Sequence, residues 1–358
     1  MSKNLSRRDF LKLSALGLTS LAFSPYLKQI NRYAGQSAAQ DWWAKLMPAA
    51  GSSARVATDS VSIHRLPWDE SQILYQRYLD DILNIYFPTI SDHGPETNPV
   101  WYRVWGGYVH SAHLQLVENR LNSIVSDIPE TGQLVELTTP YTLSYRYTTY
   151  AGWEPLYRLY YQSVHWIRSL EEGPDKKPWY KIEDELDKYY VYYAPAENFR
   201  VIPDEELTPI SPDVPAHLKR IEVSIAQQTL TAFEEERAVF QTKISSGLNY
   251  KPKGGLRWDT PTGTYNIYSK MPSKHMGDGN LAADADYELP GVPWVCFFEQ
   301  TGVATHGTYW HTNWGNRMSH GCINMVSDEA KWLYRWTTPV ANPTDWEKRG
   351  LGTQVTVF

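Results

Sequence analysis

From residue 217 onward, apolar and polar positions alternate with a period of two. "KRIEVSIAQQTLTAFEEERAVFQTKISSG" predicts successive strands, with turns near Gln227-Gln228 and between Glu234 and Glu236. "TPTGTYNIYS" is a Pro/Gly turn feeding a strand from Thr264. "GVPWVCFF" and "GVATHG" read as two more strands, the first short, apolar and buried around Cys296, and "GTQVTVF" as another. Between them, "YSKMPSKHMGDGNLAADADYELPG" reads as a long polar loop of the kind that serves as a lid, with Asp284 and Asp286 as solvated charges. "SDEAKWLYRWT" predicts a short helix with Ser327 as N-cap and Ala330, Leu333 and Tyr334 on one face. Upstream, only "DESQILYQRYLDDILNIY" reads as helical.

The upstream half carries an imperfect repeat. "WYRVWGGYVHSAHLQLV" from Trp101 and "WYKIEDELDKYYVYYAPAENFRVI" from Trp179 both open Trp-Tyr-basic-aliphatic and close on an aliphatic run. Short alternating strands between Gly, Pro and Asp turns suggest two small β-barrel modules, which resemble bacterial SH3-like modules. "VIPDEELTPISPDVPAH" follows, with prolines that forbid a regular element. The expected organisation is an export signal over 1–40, modules over 61–128 and 131–203, a Pro-rich linker over 204–216, and a catalytic domain over 217–358. The fold class is mainly β: a β-sandwich catalytic domain preceded by two SH3-like barrels.

"SRRDFLK" and the weakly apolar run to Phe23 resemble a twin-arginine export signal, with a cleavage candidate after Ser37-Ala38-Ala39. The run is too short for a stable membrane span. Export to the cell envelope or beyond is the expected localisation, with no lipid anchor. A net charge of −6 gives no basic surface for nucleic acid. The 25 Tyr and 15 Trp favour β-rich cores.

Only two cysteines occur, Cys296 and Cys322. Cys296 reads as a small buried hydrophobe. Cys322 lies in the polar loop "SHGCIN", where a free cysteine is a nucleophile candidate. Acyl transfer by cysteine needs a thiolate, an imidazole base, a group orienting it, and an oxyanion hole. In "ATHGTYWHTNWGNRMSHGCINM", Cys322 supplies the thiol and His306 the base, and Gly321 lets the backbone turn its N–H groups to one spot. Neighbouring imidazoles are expected to hold the thiol below its free pKa of about 8.5.

His306-Gly307 followed by Ser319-His320-Gly321-Cys322, with "TPTGTYNI" and "GTQVTV" in support, resembles the L,D-transpeptidase catalytic domain of YkuD type over about residues 217–358. The resemblance implies a cysteine acyltransferase acting on peptidoglycan stem peptides in cell-wall organisation and cell shape. Cys322 would attack the third stem residue of a tetrapeptide donor. D-Ala would leave, and an amine of another stem would complete a 3→3 cross-link. It implies His306 as proton donor and acceptor and the Gly307 carbonyl as its orienting group. His320 would shape the loop, and the N–H groups of Gly321 and Cys322 would hold the oxyanion. Ser319, Asn324 and Tyr309 are the candidate substrate contacts. Many members carry Arg two residues after the cysteine, where this chain has Asn324, so substrate placement departs from the pattern. No cofactor or metal is expected, nor a nucleic-acid partner, and the chain is expected to be a monomer.

Other readings stay open at this level. His306, His311, His320 and Cys322 could ligate zinc, although no C-x₂-C or H-x₃-H pair is present. His311 and Trp310 read as loop packing, and His110, His113 and His165 as structural. Ser319 could hydrogen-bond the histidine or cap a turn. The same site using water would be an L,D-carboxypeptidase, and a degenerate site would leave a wall-binding protein.

Overall fold

The computed structural model describes residues 42–185, 191–253, 255, 257–277 and 288–358. The export-signal reading and the lid tip with Asp284 and Asp286 lie outside the described residues. Among the described residues no helix is long and apolar enough to cross a membrane.

The strands form five sheets among the described residues. Ser53–Val56 pairs with Ile82–Asn84 and Leu114–Val117, and a five-stranded sheet accompanies it. The first module therefore reaches back to Ser53, upstream of the expected start at residue 61. The second module is a seven-stranded sheet over Gln133–Val201. The sequence repeat recurs in its backbone. Tyr108–His110, a 3₁₀ turn at Ser111–His113 and Leu114–Val117 are matched by Val191–Pro195, a 3₁₀ turn at Ala196–Asn198 and Phe199–Val201.

Three expectations need correction. The stretch expected to be helical is two strands, Ile73–Tyr78 and Ile82–Asn84, turning through Asp80 at a φ of 68°. Its apolar residues fall at helical spacing, but pairing with Ser60–His64 and Ser53–Val56 decides the backbone. The polar lid is largely a hairpin, Ser269–Gly277 against Glu288–Phe297. Its polar side chains are buried with partners. Lys270 Nζ donates to the carbonyls of Thr337 (2.8 Å) and Pro339 (3.0 Å), and Ser273 Oγ to that of Val164 (2.5 Å). His275 lies between Asp184 and Glu288. Third, the linker contains 3₁₀ turns at Asp204–Leu207 and Ala216–Leu218, and it buries Ile202 and Leu207.

The catalytic region has two five-stranded sheets around the helix Ser327–Trp336. Ser327 is the first helical residue and Val326 occupies the N-cap position, so the expected cap is displaced by one. Ala330, Leu333 and Tyr334 are buried as read. In one sheet the strand Gln354–Val357 lies between Lys219–Ser224, to which it is parallel, and Gly263–Asn266, to which it is antiparallel. In the other, Ala304–Gly307 lies between Glu288–Phe297 and Ile323–Met325.

The regions are not beads on a string. Residues 45–358 form one compact unit. Leu134, Val164 and Trp166 of the second module share a core with Ile202, Leu207, Ile221, Trp294 and Ile323. Trp166 stacks on Trp346 at 4.8 Å and 9°.

Candidate active site

His306 stands in the short strand Ala304–Gly307, and Cys322 immediately precedes Ile323–Met325. The two strands are parallel, with Thr305 opposite Ile323 and His306 opposite Asn324. Cys322 is two residues before Asn324, and the period of two carries its side chain to the face that His306 occupies. The thiol donates weakly to the Gly302 carbonyl at 3.8 Å.

The His306 ring is buried, and its Nδ1 is 2.9 Å from the Gly307 carbonyl. A carbonyl only accepts, so Nδ1 carries the proton. That tautomer leaves the Nε2 lone pair as the base. Burial pulls His306 down to about 4, with the Gly307 carbonyl working the other way. Cys322 is partly exposed as a residue. Its sulfur is nevertheless enclosed closely enough that burial pushes the thiol up to about 11, against a backbone hydrogen bond from Ala304. The expected low-pKa thiolate is therefore corrected. A neutral imidazole offers no positive charge to stabilise it, and desolvation decides. The resting pair is thiol and imidazole, and the proton moves when the nucleophile attacks. Iodoacetamide labelling of Cys322 should accordingly have its midpoint well above the free-thiol value of about 8.5. His306→Ala should barely move that midpoint. A wild-type midpoint below 8 would show an ion pair instead.

The cysteine loop is built from short contacts. Gly321 has a φ of 130°, and a Cβ there would meet only Val303 at 3.5 Å. Backbone conformation, not lack of space, asks for glycine. Ser319 Oγ donates to the Cys322 carbonyl (2.5 Å) and accepts from the Gly321 N–H (3.2 Å). Thr260 was not singled out from sequence. Its hydroxyl accepts from the Gly247 N–H at 2.8 Å and donates to the Gly321 carbonyl at 2.7 Å. It sits at the end of a stretch whose Trp258 covers His320, with ring centroids 3.9 Å apart. Only the polar flank of that stretch was visible in the sequence; nothing there pairs a threonine with a loop 61 residues away.

The expected substrate contacts move to structural roles. Tyr309 is 1% exposed, packs with Val292, Val295 and Ala304, and donates its hydroxyl to the Pro290 carbonyl at 3.0 Å. Asn324 is also 1% exposed and lies 2.8 Å from His311 Nε2. Ser319 closes the turn. Gly321's N–H is engaged by Ser319, so an oxyanion must compete for it. His311 Nδ1 accepts from the Asn313 N–H at 3.2 Å. A neutral His311 then carries its proton on Nε2, and hydrogen bonding assigns the Asn324 amide oxygen as its acceptor. Burial pulls His311 down to about 3. Among the described residues, His306, His311, His320 and Cys322 are not gathered into a metal-holding cluster.

Two features of the first module reach this loop. Arg55, 1% exposed, donates through Nη2 to the Tyr309 carbonyl at 2.8 Å. It also donates through Nη1 to Asp80 (2.8 Å) and through Nε and Nη2 to Gln115 Oε1 (3.1 and 2.9 Å), and lies 4.0 Å from the Tyr160 ring. Thr312 donates its N–H to the Ala112 carbonyl (2.9 Å), and its hydroxyl lies within reach of the carbonyls of Ser111 (2.7 Å) and Leu114 (2.9 Å).

Residues 218–357 match the family model YkuD, the L,D-transpeptidase catalytic domain. A comparison with curated proteins found no match. Among solved structures, the chain is similar to an L,D-transpeptidase of Enterococcus faecium at 26% identity and a TM-score of 0.30. That match covers 39% of this chain and 49% of the other, so the chain spans about half the length of that relative. An L,D-transpeptidase from Mycobacterium smegmatis matches at 21% identity and a TM-score of 0.32, covering 47% of this chain and 72% of its own. L,D-transpeptidase 3 from Mycobacterium tuberculosis matches at 18% identity and a TM-score of 0.30, covering 55% and 91%.

Proposed function

We propose that the protein is an exported peptidoglycan L,D-transpeptidase. The observation that carries this is the juxtaposition of the neutral His306 imidazole, held by the Gly307 carbonyl, with the Cys322 strand inside the region matching the YkuD model. His306 Nε2 takes the thiol proton as Cys322 Sγ bonds to the carbonyl carbon of the third stem residue. The tetrahedral oxyanion is held by the N–H groups of Cys322 and of Gly321, which exchanges Ser319 for it. The C–N bond to D-Ala breaks, and the leaving amine takes the proton from His306. A thioester remains. An acceptor amine of a second stem attacks it, His306 accepts the amine's proton, and sulfur leaves and regains a proton, giving a 3→3 cross-link. The two upstream modules, of SH3-like kind, hold wall polymer. The twin-arginine leader delivers the folded chain to the envelope.

The test is mass analysis of muropeptides after incubation of the enzyme with tetrapeptide donor stems. Dimers lacking one D-Ala and linked 3→3 are the expected products. Tripeptides alone would mean that water is the acceptor and the activity is L,D-carboxypeptidase. Unchanged substrate with a folded enzyme would remove the assignment.

A further inference from the structure

A cavity of about 390 Å³ opens in the first module, away from Cys322. Strand Ser60–His64 supplies Ser60 and Ser62 to it, and Thr97 adds another hydroxyl. Its far wall is not part of the module: Asn313 and Asn316 come from the loop that follows His306. Thr97 Oγ1 donates to Asn316 Oδ1 at 3.0 Å and ties the two walls together. Trp101 also lines the cavity. It is fully buried between His64 and His110, with ring centroids at 5.4 and 5.1 Å, and its indole N–H has no partner among the described residues. A buried N–H left unmade costs roughly 1–3 kcal/mol, which a ligand acceptor reaching it would recover.

The lining selects a class of ligand. No lysine or arginine lines the cavity, and its one carboxylate, Asp69, is exposed. Burial lowers His110 and His113, so both are uncharged near neutral pH. An anion finds no counter-charge here. A purely apolar ligand would strip water from the hydroxyls and amides without replacing its hydrogen bonds. A neutral ligand carrying many hydroxyl and amide groups satisfies them.

We infer that this cavity binds a neutral, N-acetylated saccharide segment: the glycan strand from which a stem peptide reaches Cys322. The identity of that sugar rests on the proposed wall-peptide acyltransferase reading; the cavity's chemistry does not. The placement gives the binding a purpose. Asn313 forms part of the cavity wall, and its N–H holds His311, which in turn holds Asn324 two residues after the nucleophile. Asn316 Nδ2 donates to Asn313 Oδ1 at 2.9 Å, so a saccharide on Asn316 bears on the same loop. The glycan is gripped where the module meets the catalytic loop, which sets where its peptide can go.

The test is isothermal titration and saturation-transfer NMR on the full chain with a β-1,4-linked N-acetylglucosamine tetrasaccharide. Wild type and Cys322→Ala should bind it alike, since the thiol takes no part. Ser62→Tyr, which fills the cavity, and Asn316→Ala should each weaken binding at least about tenfold. Asp69→Asn should change little. Ser62→Tyr should still be acylated by a β-lactam probe at the wild-type rate, which shows that its fold is intact. Should Ser62→Tyr misfold, Asn316→Ala alone decides. Absence of binding to wild type, or equal binding to wild type and Asn316→Ala, overturns the inference. So does binding of a sugar-free stem peptide that depends on Asp69 while the tetrasaccharide fails. Saccharide binding without any β-lactam acylation would remove the transferase reading and leave the saccharide site standing.

Discussion

Cys322→Ser should keep the fold and lose acylation by a β-lactam probe by at least about a thousandfold. The substitution is nearly isosteric. The wild-type sulfur makes only a 3.8 Å contact with the Gly302 carbonyl, so little packing is at stake. Chemistry decides the size of the effect. A neutral imidazole pulled down to about 4 is a weak base, and a hydroxyl gives up its proton far less readily than a thiol. Intact-mass spectra after incubation with the probe should show an adduct on wild type and none on the variant, with matching thermal transitions. His306→Ala should lose acylation too while keeping its iodoacetamide midpoint. An adduct on Cys322→Ser at near wild-type rate would move the nucleophile elsewhere.

Residues 213–358 alone should not form a competent site, contrary to what a Pro-rich linker suggests. Leu134, Val164, Trp166, Ile202 and Leu207 belong to the same core as the catalytic strands. Burial of five such side chains contributes on the order of 10 kcal/mol, as large as the whole stability of a typical domain. Arg55 adds a sharper test. It forks between Asp80, Gln115 and the carbonyl of Tyr309, three residues past the base. Arg55→Met keeps the bulk but leaves Asp80 to Arg158 and the Tyr309 carbonyl without its donor. A loss of about 3 kcal/mol in stability is expected, together with at least a tenfold slower acylation below the melting transition. Arg55→Lys cannot reproduce the fork and should restore little of the rate. Acylation of the isolated fragment at the full-length rate would show that the modules are dispensable.

What the sequence disclosed follows from the range of the forces involved. His306, Gly307 and Gly321-Cys322 form a local pattern whose chemistry can be read from residue type. The strands after residue 217 were legible because one face of each meets a core, and alternation records that. Asp80 was hidden, because its left-handed turn and its pairing with Arg55 join strands that look like one amphipathic helix. Lys270, Ser273 and His275 made a buried hairpin resemble a loop, since each polar group has a partner distant in sequence. Tyr309 and Asn324 were misplaced for the same reason. Proximity to the nucleophile along the chain says nothing of whether a side chain faces solvent or core.

The strand Gln354–Val357 is made after every strand it joins, yet it occupies an interior place in its sheet. Until it emerges from the ribosome, Lys219–Ser224 and Gly263–Asn266 each present an unsatisfied edge where this strand will insert. Synthesis therefore delivers the thiol before the sheet that organises its domain is whole. The late strand acts as a timer: the catalytic region cannot close around a nascent chain, and a ribosome stalled a few codons early yields an incomplete sheet, not a slightly shortened enzyme.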